Sequence, residues 1–500
     1  MISIILNRRE FEHDTYDLIK AYFPEEKLIV TEDGIIDIEG MKKANRLAME
    51  DELLYTFELE VNEESIKLDI KTEGESICQK QENFLTQEKK LNRNQYKRFL
   101  YHALSKITGR ELPWGTLTGV RPTKIVLNQL EAGEEETTIR DYMKKEYLCS
   151  DEKIDVSLKI AKRELEILNQ CDYQNGYSIY IGIPFCPTIC NYCSFASYSL
   201  EKHENVLGQY LDALEKEIIY ASTCLTEKKL TTLYVGGGTP TSLNEEQLER
   251  LMIMIKKYFD FSHMQEFTVE AGRPDSITRG KLQILKKYGV DRISINPQSM
   301  RQKTLDFIGR KHSVEQILQC YEMAREEGHD NINMDIILGL SGETIDDVAY
   351  TLEEIGKLAP DSLTVHTLAM KRAADLTVNK DKYKGYKATR VSDMLDLSIE
   401  FAKQHGYEPY YLYRQKNMAE NLENTGYSKL GKEGIYNILI MEEKQTILAL
   451  GAGALSKFVF HQENRIERVE NVKSIRDYME RTDEMIERKR KFVEKNRKIL

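Results

Sequence analysis

Apolar and polar residues alternate most cleanly in Tyr55-Thr56-Phe57-Glu58-Leu59-Glu60-Val61, the period-two pattern of a strand with one buried face. Around it, Ile2 to Leu6, Lys27 to Val30 and Ile66 to Ile70 read as further strands and Tyr16 to Tyr22 as a helix. Residues 1–75 are therefore expected to form a small α/β domain. From Gln79 to Asn169 the spacing turns helical and highly charged. Tyr96, Phe99, Leu100, Ala103 and Ile107 share one helical face, and a second amphipathic stretch runs from Ile154 to Leu168, so residues 76–172 read as a helical region. Leu112-Pro113-Trp114-Gly115 and Gly119-Val120-Arg121-Pro122 punctuate it, with Trp114 expected as a packing residue and Arg121 as a solvent-facing turn residue.

At Ser178 the pattern changes to strand, loop and helix, repeated. Expected strands are Ile179 to Ile183, Leu233 to Val235, Phe267 to Glu270, Arg292 to Asn296, Asn333 to Leu338 and Leu363 to His366. Between them lie amphipathic helices, one on Leu207, Tyr210, Leu211, Leu214 and Ile218, the next on Leu248, Leu251, Met252 and Ile255, and another opened by a capping box at Ser313 to Gln316. Six such units joined by right-handed crossovers predict a parallel sheet that curls into a partial (β/α)6 barrel over residues 173–370. Beyond it, Arg390 to His405 reads as a helix and Thr446 to Gly453 as a strand and glycine turn. Residues 371–500 are expected to form a C-terminal α/β cap, its charged end from Ile466 to Leu500 a solvated helix. The fold class is α/β, with an N-terminal α+β and helical extension.

Composition narrows the partners. A chain of 500 residues exceeds one hydrophobic core, and a net charge of -11 opposes nucleic-acid binding, which needs clustered Lys and Arg. Eight cysteines, no signal-like apolar start and no apolar run of membrane length lead us to expect a cytoplasmic protein with no membrane partner.

The candidate chemistry starts where the first barrel strand ends. Cys186, Cys190 and Cys193 are spaced C-x3-C-x2-C in a loop that Pro184 frees from pairing, with no fourth cysteine close by. Three thiolates leave one iron of an iron-sulfur cluster open; zinc with a distant fourth ligand and a redox or buried thiol cluster are the alternatives on spacing alone. Gly236-Gly237-Gly238-Thr239-Pro240 follows the second strand, where glycines let backbone come close to a ligand. Glu270 ends the third strand, Gln298 and Asp335 lie just after or within the fourth and fifth, and Arg310 follows a short helix at Lys303 to Ile308. Ligands bind at the carboxyl ends of strands in such sheets.

The cysteine loop and glycine triplet resemble the radical S-adenosylmethionine enzymes. Within them, Tyr180-Ile-Gly-Ile-Pro-Phe-Cys186 and Val235-Gly-Gly-Gly-Thr-Pro-Thr241 are similar to the oxygen-independent coproporphyrinogen III oxidase family, and the length and N-terminal extension to its HemZ branch. The resemblance implies a 4Fe-4S cluster on Cys186, Cys190 and Cys193, its open iron chelated by the amino and carboxylate groups of S-adenosylmethionine and its electron releasing a 5'-deoxyadenosyl radical. It implies that Tyr180, Gly237, Gly238, Thr239, Glu270, Gln298, Arg310, Asp335 and Ala369 contact S-adenosylmethionine, with Tyr192 and Leu455 at two further contact positions and one or two nucleotides bound. It also implies oxidative decarboxylation of coproporphyrinogen III to protoporphyrinogen IX in haem biosynthesis, a tetrapyrrole substrate and a low-potential electron donor of flavodoxin or ferredoxin type. Arg273, Lys371 and Arg372 are the candidate cations for substrate carboxylates.

Two positions depart from the family's branches. Phe195 stands where the oxidases carry one more cysteine, and Tyr436-Asn437-Ile438-Leu439-Ile440-Met441 stands where the haem chaperone branch carries its histidine motif. A haem carrier and a radical enzyme on another tetrapyrrole are therefore the alternative functions.

Overall fold

The computed structural model describes residues 1–31, 52–86, 88–119, 121–369, 390–414 and 421–497. They form two compact units, Met1–Lys159 with Arg414–Leu422, and Ile160–Tyr413 with Glu423–Leu500.

In the first unit, β1 (Ile2–Leu6), β2 (Leu28–Thr31), β3 (Tyr55–Val61), β4 (Ser65–Thr72) and β5 (Glu75–Asn83) form one sheet in the order β2-β1-β3-β4-β5. β1 runs parallel to both neighbours and β3, β4 and β5 are antiparallel. The alternation in β3 buries Phe57, Leu59 and Val61 as its pattern predicts. Helices Glu12–Tyr22 and Lys89–Thr108 add Leu18, Ile19, Tyr96, Phe99 and Leu100 to the same core, and are pinned together by Thr15 Oγ1 to Tyr96 OH at 2.5 Å and Tyr22 OH to Ser105 Oγ at 2.6 Å. The expected helical region starts later than its spacing suggested, because β5 runs to Asn83. β5 is an edge strand with Cys78 alone buried, so it carries no apolar period. Trp114 is fully buried as expected, and Arg121 is half-buried in the loop before helix Thr123–Glu131.

The second unit is built on eleven strands. β6 (Gly176–Ile183), β9 (Lys229–Gly237), β10 (Glu266–Gly272), β11 (Arg292–Ile295), β12 (Ile332–Leu338) and β13 (Ser362–Thr367) are the six expected parallel strands, adjacent in that order. The short strands β7 (Phe185–Cys186) and β8 (Tyr198–Ser199) pair apart from them, across the cysteine loop. At one edge β14 (Glu408–Tyr413) and β15 (Asn424–Ser428) add antiparallel to β13. At the other, β16 (Thr446–Leu450) pairs parallel to β6, and β17 (Leu455–Phe460) and β18 (Arg465–Glu470) follow antiparallel. This is the expected partial barrel with a seventh parallel strand beside the first.

Parallel strands covered on both faces usually read as continuous apolar runs. Here they alternate. Ile179, Ile181, Leu233, Val235, Phe267, Val269, Ile293, Ile295, Met334, Leu363 and Val365 are fully buried on one face. The other face carries Ser178, Tyr180, Thr232, Tyr234, Glu266, Thr268, Glu270, Arg292, Asn333, Asp335, Thr364 and His366, which bond across neighbouring strands: Ser178 to Thr232 at 2.7 Å, Tyr234 to Glu270 at 2.5 Å, Arg292 to Asn333 at 3.1 Å and Thr364 to Asn333 at 3.2 Å. One face is a hydrophobic core; the other is a polar lining.

The charged C-terminal helix is not the solvated element its composition suggests. In Thr482–Asn496, helical spacing turns Met485 and Lys489 inward, and Lys489 Nζ lies 2.6 Å from Glu217 Oε1 with both side chains fully buried. Glu217 also accepts from Tyr478 OH at 2.6 Å and from the Gly451 amide at 2.8 Å, which fixes the glycine turn after β16. Lys489→Ala is expected to cost about 3–5 kcal/mol by leaving Glu217 buried and uncompensated, measured as a lowered thermal unfolding midpoint.

Candidate functional site

The cysteine loop hangs from the carboxyl end of β6. Its backbone is held by Asn191, whose amide donates to Ile308 O at 3.1 Å and whose Nδ2 donates to Phe307 O at 2.7 Å, and by Thr188 Oγ1 to Gly309 O at 3.3 Å. Cys190 is buried, Cys186 and Cys193 half-buried. Burial pushes the Cys186 thiol up to about 11, with the Thr239 hydroxyl, 3.5 Å from Sγ, pulling the other way. Arg273 donates to Cys190 Sγ at 3.6 Å.

Each glycine of the triplet is required by crowding. A Cβ at Gly236 would lie 2.8 Å from the Tyr234 ring, and one at Gly238 would lie 2.6 Å from Phe185 O and 2.9 Å from Cys186 Sγ. Gly237 has a φ of +115° and packs on Ile183. The amides of Gly238 and Thr239 bond Ile183 O at 2.9 Å and Phe185 O at 2.7 Å, so triplet and cysteine loop form one rim.

Glu270 lies toward the carboxyl end of β10 and Asp335 within β12, while Gln298 follows β11 and Arg310 follows the short helix Gln302–Phe307. Burial pushes Glu270 up to about 7, with Tyr234 pulling it down and the Asp335 charge pushing it further up. Gln298 takes a left-handed backbone with φ 67°, costly for a side-chain-bearing residue, bonded through its amide to Asp335 O at 2.9 Å; its buried Oε1 has no partner in the chain. Asp335 is held below its usual range: burial raises it, but His366, Asn333 and Thr364 outweigh that. His366 Nε2 is 3.8 Å from Asp335 Oδ2, and Tyr413 OH is 3.4 Å from His366 Nδ1.

Arg310 is 6% exposed. Its guanidinium meets Asn296 O at 2.5 Å and Tyr192 OH at 3.2 Å, its Nε bonds nothing in the chain, and no carboxylate pairs with it among the described residues. A buried cation without a counter-ion is unfavourable unless a ligand supplies the anion. Tyr180 lines the interior from β6, Ala369 follows β13, half-buried, and Leu455, 44% exposed, opens β17 after the glycine turn beside β6.

Arg273 does not face a substrate. It is buried, paired with Asp275 at 2.6 Å and bonded to Thr188 O at 2.8 Å, so it braces the cysteine loop instead. Lys371 and Arg372 lie outside the described residues. The sequence reading missed Tyr234, Tyr436, His366 and Tyr413. The polar alternation within β9 and β13 is the signal that points to Tyr234 and His366.

The residues fit the cluster and the nucleotide. Three thiols share one loop, the Gly238 backbone leaves the space a Cβ would fill, and Arg310 and Gln298 present unmet donor and acceptor capacity. The family model described as Radical SAM superfamily matches residues 180–355. Over 391 residues the chain is 46% identical to the oxygen-independent coproporphyrinogen-III oxidase-like protein HemZ of Bacillus subtilis, covering 77% of this chain and 78% of that protein. It is 33% identical over 280 residues to the heme chaperone HemW of the same organism, covering 55% of this chain and 70% of that protein. The solved structure of coproporphyrinogen III oxidase (HemN) from Escherichia coli has the same fold, with a TM-score of 0.51, 24% identity, and coverage of 64% of this chain and 72% of that chain.

Fold and site thus define a radical S-adenosylmethionine protein, with a 4Fe-4S cluster and S-adenosylmethionine as its cofactors. Within that class, the chain belongs to the oxygen-independent coproporphyrinogen III oxidase family, on its HemZ-like branch.

Gly238→Ala, by driving a methyl group into Phe185 O and Cys186 Sγ, is expected to lower cluster loading several-fold while the fold survives. Cys190→Ala is expected to remove it. Iron and sulfide content with the visible absorption of the anaerobically reconstituted protein checks both; zinc at stoichiometry in the unaltered protein is the contrary result.

Proposed function

We propose that the protein converts propionate side chains of coproporphyrinogen III to vinyl groups, yielding protoporphyrinogen IX. The observation that carries this reading is the polar inner face and, beside the cysteine loop, the buried guanidinium of Arg310, which has no carboxylate partner among the described residues, in a chain 46% identical over 391 residues to a protein named as coproporphyrinogen-III oxidase-like. When bound, the cluster and S-adenosylmethionine would supply the radical that takes a hydrogen atom from the propionate β-carbon; loss of carbon dioxide, with one electron passed to an external one-electron acceptor, leaves the vinyl group.

The chain's own residues bind and orient. Cys186, Cys190 and Cys193 hold the cluster, and Arg273 keeps their loop in place and offsets thiolate charge. Arg310 pairs with the nucleotide's carboxylate through its planar fork, and Glu270 accepts an N–H from its amino group. Gln298 Oε1 and Asp335 take hydroxyl hydrogens, with His366 behind Asp335. Tyr180, Tyr192, Gly237, Gly238, Thr239, Ala369 and Leu455 complete the contact set. Lys371 and Arg372 remain the candidate cations for substrate carboxylates. Ile189 and Phe195, 52% and 70% exposed on the cysteine loop, mark the face for a flavodoxin- or ferredoxin-type donor.

A haem carrier is the second reading, favoured by the HemW relative and by Phe195 at the position of the oxidases' extra cysteine. Against it, Tyr436 is buried and stacked on Tyr234 inside the barrel, so the residue at the chaperones' histidine position does not face outward. A radical enzyme on another tetrapyrrole is distinguished by the mass of its product.

Anaerobic incubation of reconstituted protein with coproporphyrinogen III, S-adenosylmethionine and a low-potential reductant is expected to give vinyl product together with substrate-dependent 5'-deoxyadenosine. Stoichiometric haem binding with no 5'-deoxyadenosine release would replace the oxidase with the carrier.

A further inference from the structure

Tyr234 is clamped from both sides. Its ring lies between Tyr180, with centroids 6.2 Å apart and planes 16° apart, and Tyr436, at 4.6 Å and 21°. Its hydroxyl donates to Glu270 Oε1 at 2.5 Å, and the Gly237 amide also reaches that carboxylate. Gly236 leaves the pair just enough room, since a Cβ there would lie 2.8 Å from the Tyr234 ring and 3.0 Å from the Glu270 carboxylate. Tyr436 is itself fixed, because Glu266 accepts the first amides of helix Ile435–Glu442, from Ile435 at 2.5 Å and Tyr436 at 3.3 Å.

We propose that Tyr234 is a positioning residue that aims Glu270 at the amino group of the bound nucleotide and keeps it a carboxylate. This rests on the reading of Glu270 as the acceptor for that amino group. The groups facing Glu270 are Tyr234 from β9, Tyr180 from β6, Asp335 from β12 and Tyr436 from the helix. None is a cation, and no Lys, Arg or His pairs with Glu270 among the described residues. Burial and Asp335 therefore drive Glu270 toward its neutral acid, and two donors, the phenol and the Gly237 amide, oppose them. The Tyr234 phenol keeps its proton: burial and the neighbouring carboxylate push its own titration well above the usual tyrosine value, so it is available to donate to the ionised Glu270 across the working range.

The amino group that chelates iron does so as the neutral amine and donates its remaining N–H to the ionised carboxylate, so the Glu270 contribution to nucleotide affinity is full above its titration, at about 7, and falls as pH drops through it, with Glu270 releasing a proton on binding in that range. Removing the phenol hydroxyl takes a donor from the charged form alone. The profile must then move to higher pH rather than simply downward.

The test is calorimetric titration of anaerobically reconstituted protein with S-adenosylmethionine between about pH 6 and about pH 8, in buffers of different ionisation heat. The ligand's own groups titrate identically against every variant, so differences between variants belong to the protein. In the unaltered protein, affinity is expected to fall, with proton release, as pH drops below the midpoint. Tyr234→Phe, nearly isosteric, is expected to raise that midpoint by about one pH unit, weaken binding several-fold near neutrality and recover most of the affinity at the alkaline end. Glu270→Gln should flatten the dependence. A Tyr234→Phe variant with the midpoint unmoved, or with the same loss at all pH, overturns the role of Tyr234 while leaving Glu270 as acceptor. A Glu270→Gln variant that keeps the full pH profile overturns the acceptor reading itself, and the role of Tyr234 with it.

Discussion

The site depends on parallel pairing around β6, the strand that carries the cysteine loop. β6 is hydrogen-bonded to β9 on one side and to β16 on the other, with Ile181 opposite Val235 and Leu450. The ends of these three strands are the cysteine loop, the glycine triplet and the Gly451–Gly453 turn. A register slip of one residue would exchange the polar and apolar faces of the strand, taking Tyr180 out of the interior and exposing Ile179 and Ile181 to it. Cluster and nucleotide geometry thus follow from backbone hydrogen bonds as much as from the ligating side chains.

The interior polar face adds a second constraint. Deep in the barrel, Arg292 bonds Asn331, Asn333 and the Lys432 carbonyl, while Glu266 caps helix Ile435–Glu442. These groups are satisfied within the protein. Nearer the carboxyl ends, Gln298 Oε1 and Arg310 Nε are not.

Much of this was legible in the sequence, for identifiable reasons. All six expected barrel strands are present, because β-branched runs bounded by glycine and proline have few other uses, and the cysteine loop falls where the spacing placed it. The capping box at Ser313 and Gln316 is formed, with both reciprocal bonds. What was hidden depended on partners distant in the chain. β5 is too polar to announce itself, Lys489 looks like one more surface charge until it meets Glu217, and Arg273 reads as a free cation until Asp275 and Thr188 engage it. The alternation within the parallel strands was visible, but its meaning depends on knowing that the inner face lines a site.

The seventh parallel strand carries a consequence for how the molecule is made. β6 leaves the ribosome well before its outer neighbour β16, and until Leu448 can align with Ile179 the cysteine-bearing strand has one bare edge. The interval spans most of the barrel, so final closure is a contact between segments remote in the chain, slow by its nature. A nascent or shortened chain would hold its thiols on an open ribbon exposed to unwanted pairing. That edge is therefore covered only once β16, in the last quarter of the chain, has been synthesised and has docked.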